Sequence, residues 1–279
     1  MGRKKGRTKS QKTPKRWRPQ LEEYSWVNRL EFLPVDAISS SSLLEEEESL
    51  SIVCWNILAQ AYCSNRSQTN LPEAYQKVVF HTGRRKQRIL GVLQHLASAD
   101  TDVFCLQEVD MQEIKKTLTS LGYYGVETPT VLGGGSGGRV DACGVYIRRG
   151  AWKYKEHQLV RFDDLAALSS TSSSSVDNSN RQGMQRSFLR RNAGLLVRLE
   201  HHITGRTVVI ANTHLYWNPT FEYVKLCQMH YLLIRTQSFR NYNEPVIVSG
   251  DLNSRPHGIT HSFLTQSHVD AKRIATWYA

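Results

Sequence analysis

The sequence predicts an α/β domain in which short buried strands alternate with amphipathic helices. Four apolar runs rich in β-branched residues are the clearest strand signals, at residues 51–56, 103–107, 208–211 and 246–249. Two segments around the second strand, residues 84–99 and 111–121, place apolar residues at three- and four-residue spacing, which indicates helices. Strands alternating with helices are typical of layered α/β folds.

Further elements follow from the same patterns. The first helix places Ile89, Leu93 and Leu96 on one face, and the second repeats Met111 and Ile114 in the same way. Later strand candidates lie at residues 140–147, 195–199 and 207–211, and further helices are predicted at residues 222–238 and 259–265.

Composition limits the class of protein. The 279 residues, 40% of them hydrophobic, suffice for one large or two small α/β domains. No apolar run reaches eighteen residues and the N-terminus lacks a secretory signal pattern, so we expect no membrane partner. Five cysteines, with Cys54, Cys105 and Cys143 in apolar runs and none at zinc-site spacing, indicate buried free thiols in a reducing compartment, the nucleus or the cytoplasm.

The basic charge is concentrated in an N-terminal tail. Residues 1–19 contain nine Lys and Arg and no acid, so of the net charge of +11 only +2 belongs to the remaining 260 residues. The tail is predicted to be disordered, and it is interpreted either as a solvated localisation segment or as a segment attracted to RNA. Residues 20–49, with runs of serine and glutamate, complete a low-complexity hinge, and the functional domain is predicted at residues 50–279. A serine-rich segment, about residues 165–187, is predicted to be a disordered insertion. The glycine-rich run 133–138 is predicted to be a flexible hairpin loop.

Polar residues that can handle phosphate or metal end the four clearest strands. Glu108 follows an apolar strand, and Mg²⁺ is often held by one or two carboxylates while it keeps several waters. Asp251 could align or deprotonate a water, and Asn253 could donate to a phosphoryl oxygen. The alternatives are an ordinary Asx-turn for the aspartate and asparagine, and a solvent-facing strand end for the glutamate.

The strand that ends at His214 is followed by flat side chains. A histidine at a strand end can donate to a phosphate oxygen or to the leaving group. Tyr216, Trp217 and Pro219 could stack on a nucleobase. Core packing is the alternative for the two aromatic residues, and loop rigidity is the alternative for the proline.

Four motifs in order carry a family resemblance. They are Cys-Trp-Asn-Ile-Leu-Ala at 54–59, Cys-Leu-Gln-Glu-Val-Asp at 105–110, Asn-Thr-His-Leu-Tyr-Trp-Asn-Pro at 212–219 and Gly-Asp-Leu-Asn-Ser-Arg-Pro at 250–256. Together they resemble the exonuclease–endonuclease–phosphatase superfamily, and more narrowly its carbon-catabolite-repressor-4 branch, which includes the Angel and nocturnin proteins. The resemblance implies a four-layer α/β sandwich of two central, mostly antiparallel sheets flanked by helices.

The resemblance also implies an activity and a role for each motif residue. It implies Mg²⁺-dependent cleavage of phosphoesters, with Mn²⁺ as a substitute, typically 3′-to-5′ removal of poly(A). The metal ligands would be Glu108, Asn56 and Asp251, and the catalytic residues would be His214, Asp251 and Asn253. Substrate would contact Asn56, Glu108, His214, Pro219 and Asn253.

One departure from the branch leaves three functions open. The C-terminal Ser-Asp-His motif of the branch has no match after Pro256, so we expect either a truncated domain that lacks its final strands or a protein without catalysis. The first hypothesis is a Mg²⁺-dependent 3′–5′ exoribonuclease that acts on poly(A) 3′ ends in mRNA decay. The second is a phosphatase of the same fold that acts on a nucleotide or an RNA end. The third is a non-catalytic RNA-binding module.

Overall fold

The structure is a computed structural model that describes residues 49–63, 76, 79–128, 142–150, 152–168 and 178–266. The basic tail and hinge up to residue 48, the glycine-rich run 133–138, the serine-rich run 169–177 and residues 267–279 lie outside the described residues. The predictions made for them therefore stay predictions.

The first sheet contains four strands in the order β1-β2-β4-β3. Strands β1 and β2 are parallel, and the β2–β4 and β3–β4 pairs are antiparallel. The strands are β1 Ile52–Asn56, β2 Val103–Val109, β3 Tyr123–Glu127 and β4 Ala142–Arg148. In the described parts of the connections there are three helices: α1 Gln60–Cys63, α2 Thr82–Ser98 and α3 Gln112–Ser120.

The second sheet repeats this mixed pattern in the order β5-β6-β7-β8. Here β7 and β8 are the parallel pair, and the other two pairs are antiparallel. The strands are β5 Trp152–Arg161, β6 Ala193–His201, β7 Thr207–His214 and β8 Val246–Asp251. The associated helices are α4 Asp164–Leu168, α5 Asn178–Phe188, α6 Glu222–Phe239 and α7 Ile259–Gln266, with a short 3₁₀ helix at Pro219–Phe221.

Alternating side chains of the strands pack at three interfaces between layers of secondary structure. In β2, Phe104 and Leu106 pack against the faces of α2 and α3, whereas Val103 and Cys105 face the second sheet. On the far side of the second sheet, Leu196 packs with apolar residues of α6 and α7. The order of layers is therefore helices, sheet, sheet, helices, and the predicted four-layer α/β sandwich is confirmed.

The structure corrects three details of the sequence prediction. Residues 165–168 and 178–187, the two ends of the insertion predicted to be disordered, belong to helices α4 and α5. Cys54 is exposed, because its side chain lies on a cleft at the edge of the first sheet. Strands β3 and β5 were missed, since β5 in particular interleaves charged residues with apolar ones.

The other cysteines behave as predicted. All five are free, and Cys105 and Cys143 are buried. Burial raises the pKa of the Cys105 thiol to about 12, so this thiol stays protonated at neutral pH. Within the described part of the chain, no helix combines the length and the apolarity that a membrane crossing requires.

Gly250 is required by a close approach between two strands. Its φ is +142°, and a Cβ built there would lie 2.0 Å from the carbonyl oxygen of Thr213 on the neighbouring strand β7. No side chain fits that gap without moving one strand from the other.

We therefore expect Gly250→Ala to lower the free energy of unfolding by about 1–3 kcal/mol, measured by urea denaturation. Gly91→Ala is the matched control, because Gly91 lies on the exposed face of α2 and a Cβ there meets nothing within 4 Å. That change should raise the free energy of unfolding by about 0.5–1 kcal/mol. If both substitutions change the free energy of unfolding equally, the close contact between β7 and β8 does not require glycine at position 250.

Candidate active site

The two parallel strand pairs bring four polar side chains to one place. Asn56 and Asp251 are the last residues of β1 and β8, His214 is the last residue of β7, and Glu108 precedes the last residue of β2. The carboxyl ends of parallel strands meet at one edge of a sheet. Since the two sheets face each other, both edges contribute to a single site.

Asn56 joins the two carboxylates directly. Its Nδ2 atom donates to Glu108 Oε1 at 2.9 Å and to Asp251 Oδ2 at 2.8 Å. The Nε2 atom of His214 lies 3.8 Å from each of the same two oxygens. These contacts join four of the six residues that the sequence predicted for the site.

A β-bulge aims Glu108 at this point. The register between β2 and β4 shifts between Leu106 and Val109, so one extra residue lies in β2. Glu108 adopts a φ of +60°, which costs a non-glycine residue about 1–3 kcal/mol. Its second carboxylate oxygen, Oε2, accepts a hydrogen bond of 2.8 Å from the backbone nitrogen of Ala59. The carboxylate is therefore buried and fixed at both oxygens.

Arg85 holds the loop that supplies this hydrogen bond, and the sequence analysis missed it. Its guanidinium is buried and donates to the carbonyl oxygens of Ile57 and Leu58. A signal was present, because Arg85 precedes the buried Ile89 and Leu93 by four and eight residues on the apolar face of α2. A cation in register with an apolar helix face indicates a specific partner.

Asp110 closes the same loop from the other side. Its Oδ2 atom accepts from the backbone nitrogen of Gln60, at the start of α1, at 2.6 Å. Burial raises the pKa of the Asp110 carboxyl, although the backbone hydrogen bonds from Gln60 and Ala61 oppose this effect. This aspartate belongs to the second sequence motif, and its hydrogen bonds give it a structural role.

Asn253 belongs to the turn that follows Asp251. Its backbone nitrogen donates to Asp251 Oδ1 at 2.8 Å, and its Nδ2 atom donates to the carbonyl oxygen of Leu215 at 2.9 Å. An amide nitrogen carries two hydrogens, so one remains for a substrate oxygen. Pro219 takes no part in this hydrogen-bonded cluster and is exposed as the first residue of the 3₁₀ helix.

Lys225 supports this turn from α6 and was also missed. The lysine is fully buried, and its Nζ atom donates to the carbonyl oxygen of Asn253 at 2.7 Å and also pairs with Glu222. Asn253 itself has a φ of +47°. The buried ion pair therefore supports a strained turn that carries two of the predicted site residues.

An open cleft of about 520 Å³ reaches the site. Asn56, Asp251 and Asn253 lie on its wall. The other lining residues are Cys54, Gln107, Gly250, Leu252, Ser254 and Arg255. A substrate of nucleotide size can therefore approach the carboxylates from the edge of β1 and β8.

Comparison with known proteins decides the family. The sequence model of the endonuclease/exonuclease/phosphatase family matches residues 53–272. The chain belongs to this family. The match includes all four motifs and every residue of the cluster described above.

Similar proteins confirm the expected branch. Carbon catabolite repressor protein 4 homolog 4 of Arabidopsis thaliana is 30% identical over 244 residues, which are 78% of this chain and 56% of that protein. The CCR4-Not complex 3′-5′-exoribonuclease subunit Ccr4 of Yarrowia lipolytica is 27% identical over 217 residues, 66% of this chain and 30% of that protein. The crystal structure of ANGEL2, a 2′,3′-cyclic phosphatase, has a TM-score of 0.60 and 26% identity, covering 78% of this chain and 56% of that one. The chain thus spans about half or less of the length of these relatives.

The oxygen atoms at the site suit a hard divalent cation. Glu108 Oε1 and Asp251 Oδ2 both lie within hydrogen-bond reach of the same amide, which concentrates negative charge at one point. Among the described residues, no group of three or more His, Cys, Asp or Glu is arranged to hold a metal ion. Mg²⁺ is often held by one or two protein carboxylates and keeps several waters, so Glu108 and Asp251 are the candidate ligands at this site.

We expect Lys225→Met to lower the free energy of unfolding by about 3–5 kcal/mol, because it leaves the buried Glu222 carboxylate without its partner. Urea denaturation measures the change. Lys86→Met is the control, since Lys86 pairs with Glu113 on the protein surface and its loss should change stability little. If both variants unfold at the same urea concentration as the parent, the buried pair does not support the turn.

Proposed function

We propose that this protein is a Mg²⁺-dependent phosphodiesterase that acts as a 3′–5′ exoribonuclease and shortens poly(A). The observation that carries the proposal is the contact of one amide, Asn56 Nδ2, with carboxylates from both sheets, beside His214. Two carboxylates at this distance can bind a cation and a water, and the neighbouring histidine can donate to a phosphate, so all three can be held at one site.

In this proposal each side chain has a separate task. Glu108 holds the cation, which supplies positive charge against the phosphoryl oxygens when it is bound. Asp251 orients the attacking water through its carboxylate, whose Oδ1 atom is fixed by the backbone nitrogen of Asn253. His214 and the remaining amide hydrogen of Asn253 donate to the phosphoryl oxygens as negative charge builds.

The other predicted substrate contacts complete the proposal. Asn56 lies on the cleft wall beside the substrate, and it orients both carboxylates with its two amide hydrogens. Pro219, exposed after β7, would lie against the terminal base. The similarity to the Ccr4 exoribonuclease subunit supports RNA as the substrate.

A same-fold phosphatase is the second candidate function. The similarity to ANGEL2, which is described as a 2′,3′-cyclic phosphatase, favours this alternative. The same carboxylates, histidine and cation could act on a cyclic phosphate at an RNA end. The two functions differ in whether the chain of the RNA becomes shorter.

Incubation with 5′-labelled poly(A) RNA and Mg²⁺ tests the first function. We expect a ladder of shortened products from the parent protein. His214→Ala should lower the rate roughly 10²-fold or more, because it removes a donor to the developing charge. Glu108→Gln should raise the Mg²⁺ concentration needed for half-maximal rate, since it removes a charged ligand.

Glu113→Gln is the control, because Glu113 is a surface glutamate outside the cluster. Its ladder and its Mg²⁺ requirement should match those of the parent. On the same RNA prepared with a 2′,3′-cyclic phosphate at its 3′ end, loss of that phosphate without shortening would favour the phosphatase function. Shortening that is unaffected by EDTA or by Glu108→Gln would contradict the assignment of this site.

A further inference from the structure

Arg190 lies over two aromatic rings next to the candidate active site. Its guanidinium carbon is 4.6 Å from the ring centre of Tyr216 and 4.8 Å from that of Phe221. Its Nε atom donates to the carbonyl oxygen of Ser187 at 2.7 Å. The guanidinium plane is therefore fixed by contacts on more than one side.

The loop that carries Arg190 is also fixed. The backbone nitrogens of Arg190 and Arg191 donate to Asp163 Oδ1 at 3.0 and 2.8 Å. Asn192 donates through Nδ2 to the carbonyl oxygen of His214 at 2.8 Å. The loop is thus joined to the end of β7, where the active-site histidine lies.

The two terminal nitrogens of the guanidinium have no hydrogen-bond acceptor among the residues that the structure describes, so Nε alone is engaged by a hydrogen bond there. In the ranges that the structure describes, no carboxylate forms an ion pair with Arg190, and its one side-chain hydrogen bond uses Nε. A guanidinium presents five donors, so two amino groups remain for a ligand. A planar, fixed and unpaired guanidinium suits phosphate oxygens, which it can bind in a bidentate manner.

Trp217 extends the same surface. Its side chain is 65% exposed, and its ring lies 6.0 Å from the ring of Tyr216, centre to centre. Core packing, the alternative reading of this residue, does not account for a tryptophan that is exposed to this degree. An exposed aromatic ring beside a phosphate-binding cation matches the alternating bases and phosphates of a single strand of nucleic acid.

We propose that Arg190 and Trp217 form a binding platform for single-stranded RNA, in which the guanidinium takes a phosphate and the indole ring stacks on a base. The platform lies beside the strand end that carries His214, so it contacts nucleotides beyond the two that the scissile phosphate joins. This inference rests on the proposed function and makes it more specific: the substrate is a polynucleotide rather than a mononucleotide.

Kinetics on a long and a short substrate test the platform. We compare a 20-nucleotide poly(A) RNA with the dinucleotide ApA, which has one phosphodiester and cannot reach both the cleft and the platform. Arg190→Gln and Trp217→Ala should each raise KM for the long RNA about tenfold or more, with kcat nearly unchanged. Neither substitution should change the kinetics on ApA. Arg190→Lys should recover part of the loss, because it keeps the charge but not the bidentate plane.

Arg88→Gln and Tyr242→Ala are matched controls. Arg88 is an exposed arginine on α2, and Tyr242 is an aromatic residue that is 95% exposed. Both control variants should retain the parent KM for the long RNA. An equal loss on ApA and on the long RNA would show that Arg190 and Trp217 serve only the folding of the site, and would overturn the platform.

A binding measurement separates this inference from the proposed activity. Fluorescence anisotropy with labelled 20-nucleotide poly(A) in EDTA reports affinity without turnover. Arg190→Gln should weaken binding. It should also reduce the slope of log Kd against log salt concentration by about 1, as expected for the loss of one phosphate contact. If the parent binds but does not cleave RNA, the proposed activity fails and the platform stands. If the parent and Arg190→Gln bind RNA equally, the platform is wrong.

Discussion

The hydrogen bonds of the Asn56 amide are the contact on which the rest of the site depends. They join Glu108 in the first sheet to Asp251 in the second, so the distance between the sheets is set at the point where chemistry is proposed. A second polar bridge lies deeper in the sandwich. There Gln107 donates to Asn212 at 2.8 Å, and the Asn212 amide donates to the carbonyl oxygens of Leu106 and Gly144. A buried polar group is costly without partners, so these bonds favour one register of the two sheets over others.

Much of the fold followed from local pattern. Strands β1, β2, β7 and β8 carry continuous apolar runs, and α2 and α3 carry apolar stripes, so both kinds of element were predictable, although β1 and β8 are only partly buried. Strand β5 was not, because its segment Lys-Tyr-Lys-Glu-His-Gln at 153–158 is largely exposed on an edge strand and has the composition of a loop. The order of the strands was also outside the reach of local pattern, since it depends on contacts between distant segments. The family resemblance implied two central sheets flanked by helices, and the structure gave the order of the strands within them.

The site was predictable in part, because local sequence patterns show where the strands end. Strand-end residues such as Glu108 could be identified because a run of apolar residues ends beside them. The backbone that aims Glu108 could not be identified, since its bulge and its positive φ depend on pairing with β4. Arg85, Lys225 and Arg190 were missed because charged residues are usually solvated, and because each of them also contacts a segment that is far away in the sequence.

The most direct test of the account is the position of a divalent cation in crystals of this protein grown with Mn²⁺, located by anomalous scattering. The account predicts a peak in contact with the Glu108 carboxylate, between Asn56 and Asp251, and no peak there in the Glu108→Gln variant. A cation bound elsewhere in the parent, or one that keeps the same position and occupancy in Glu108→Gln, would contradict it.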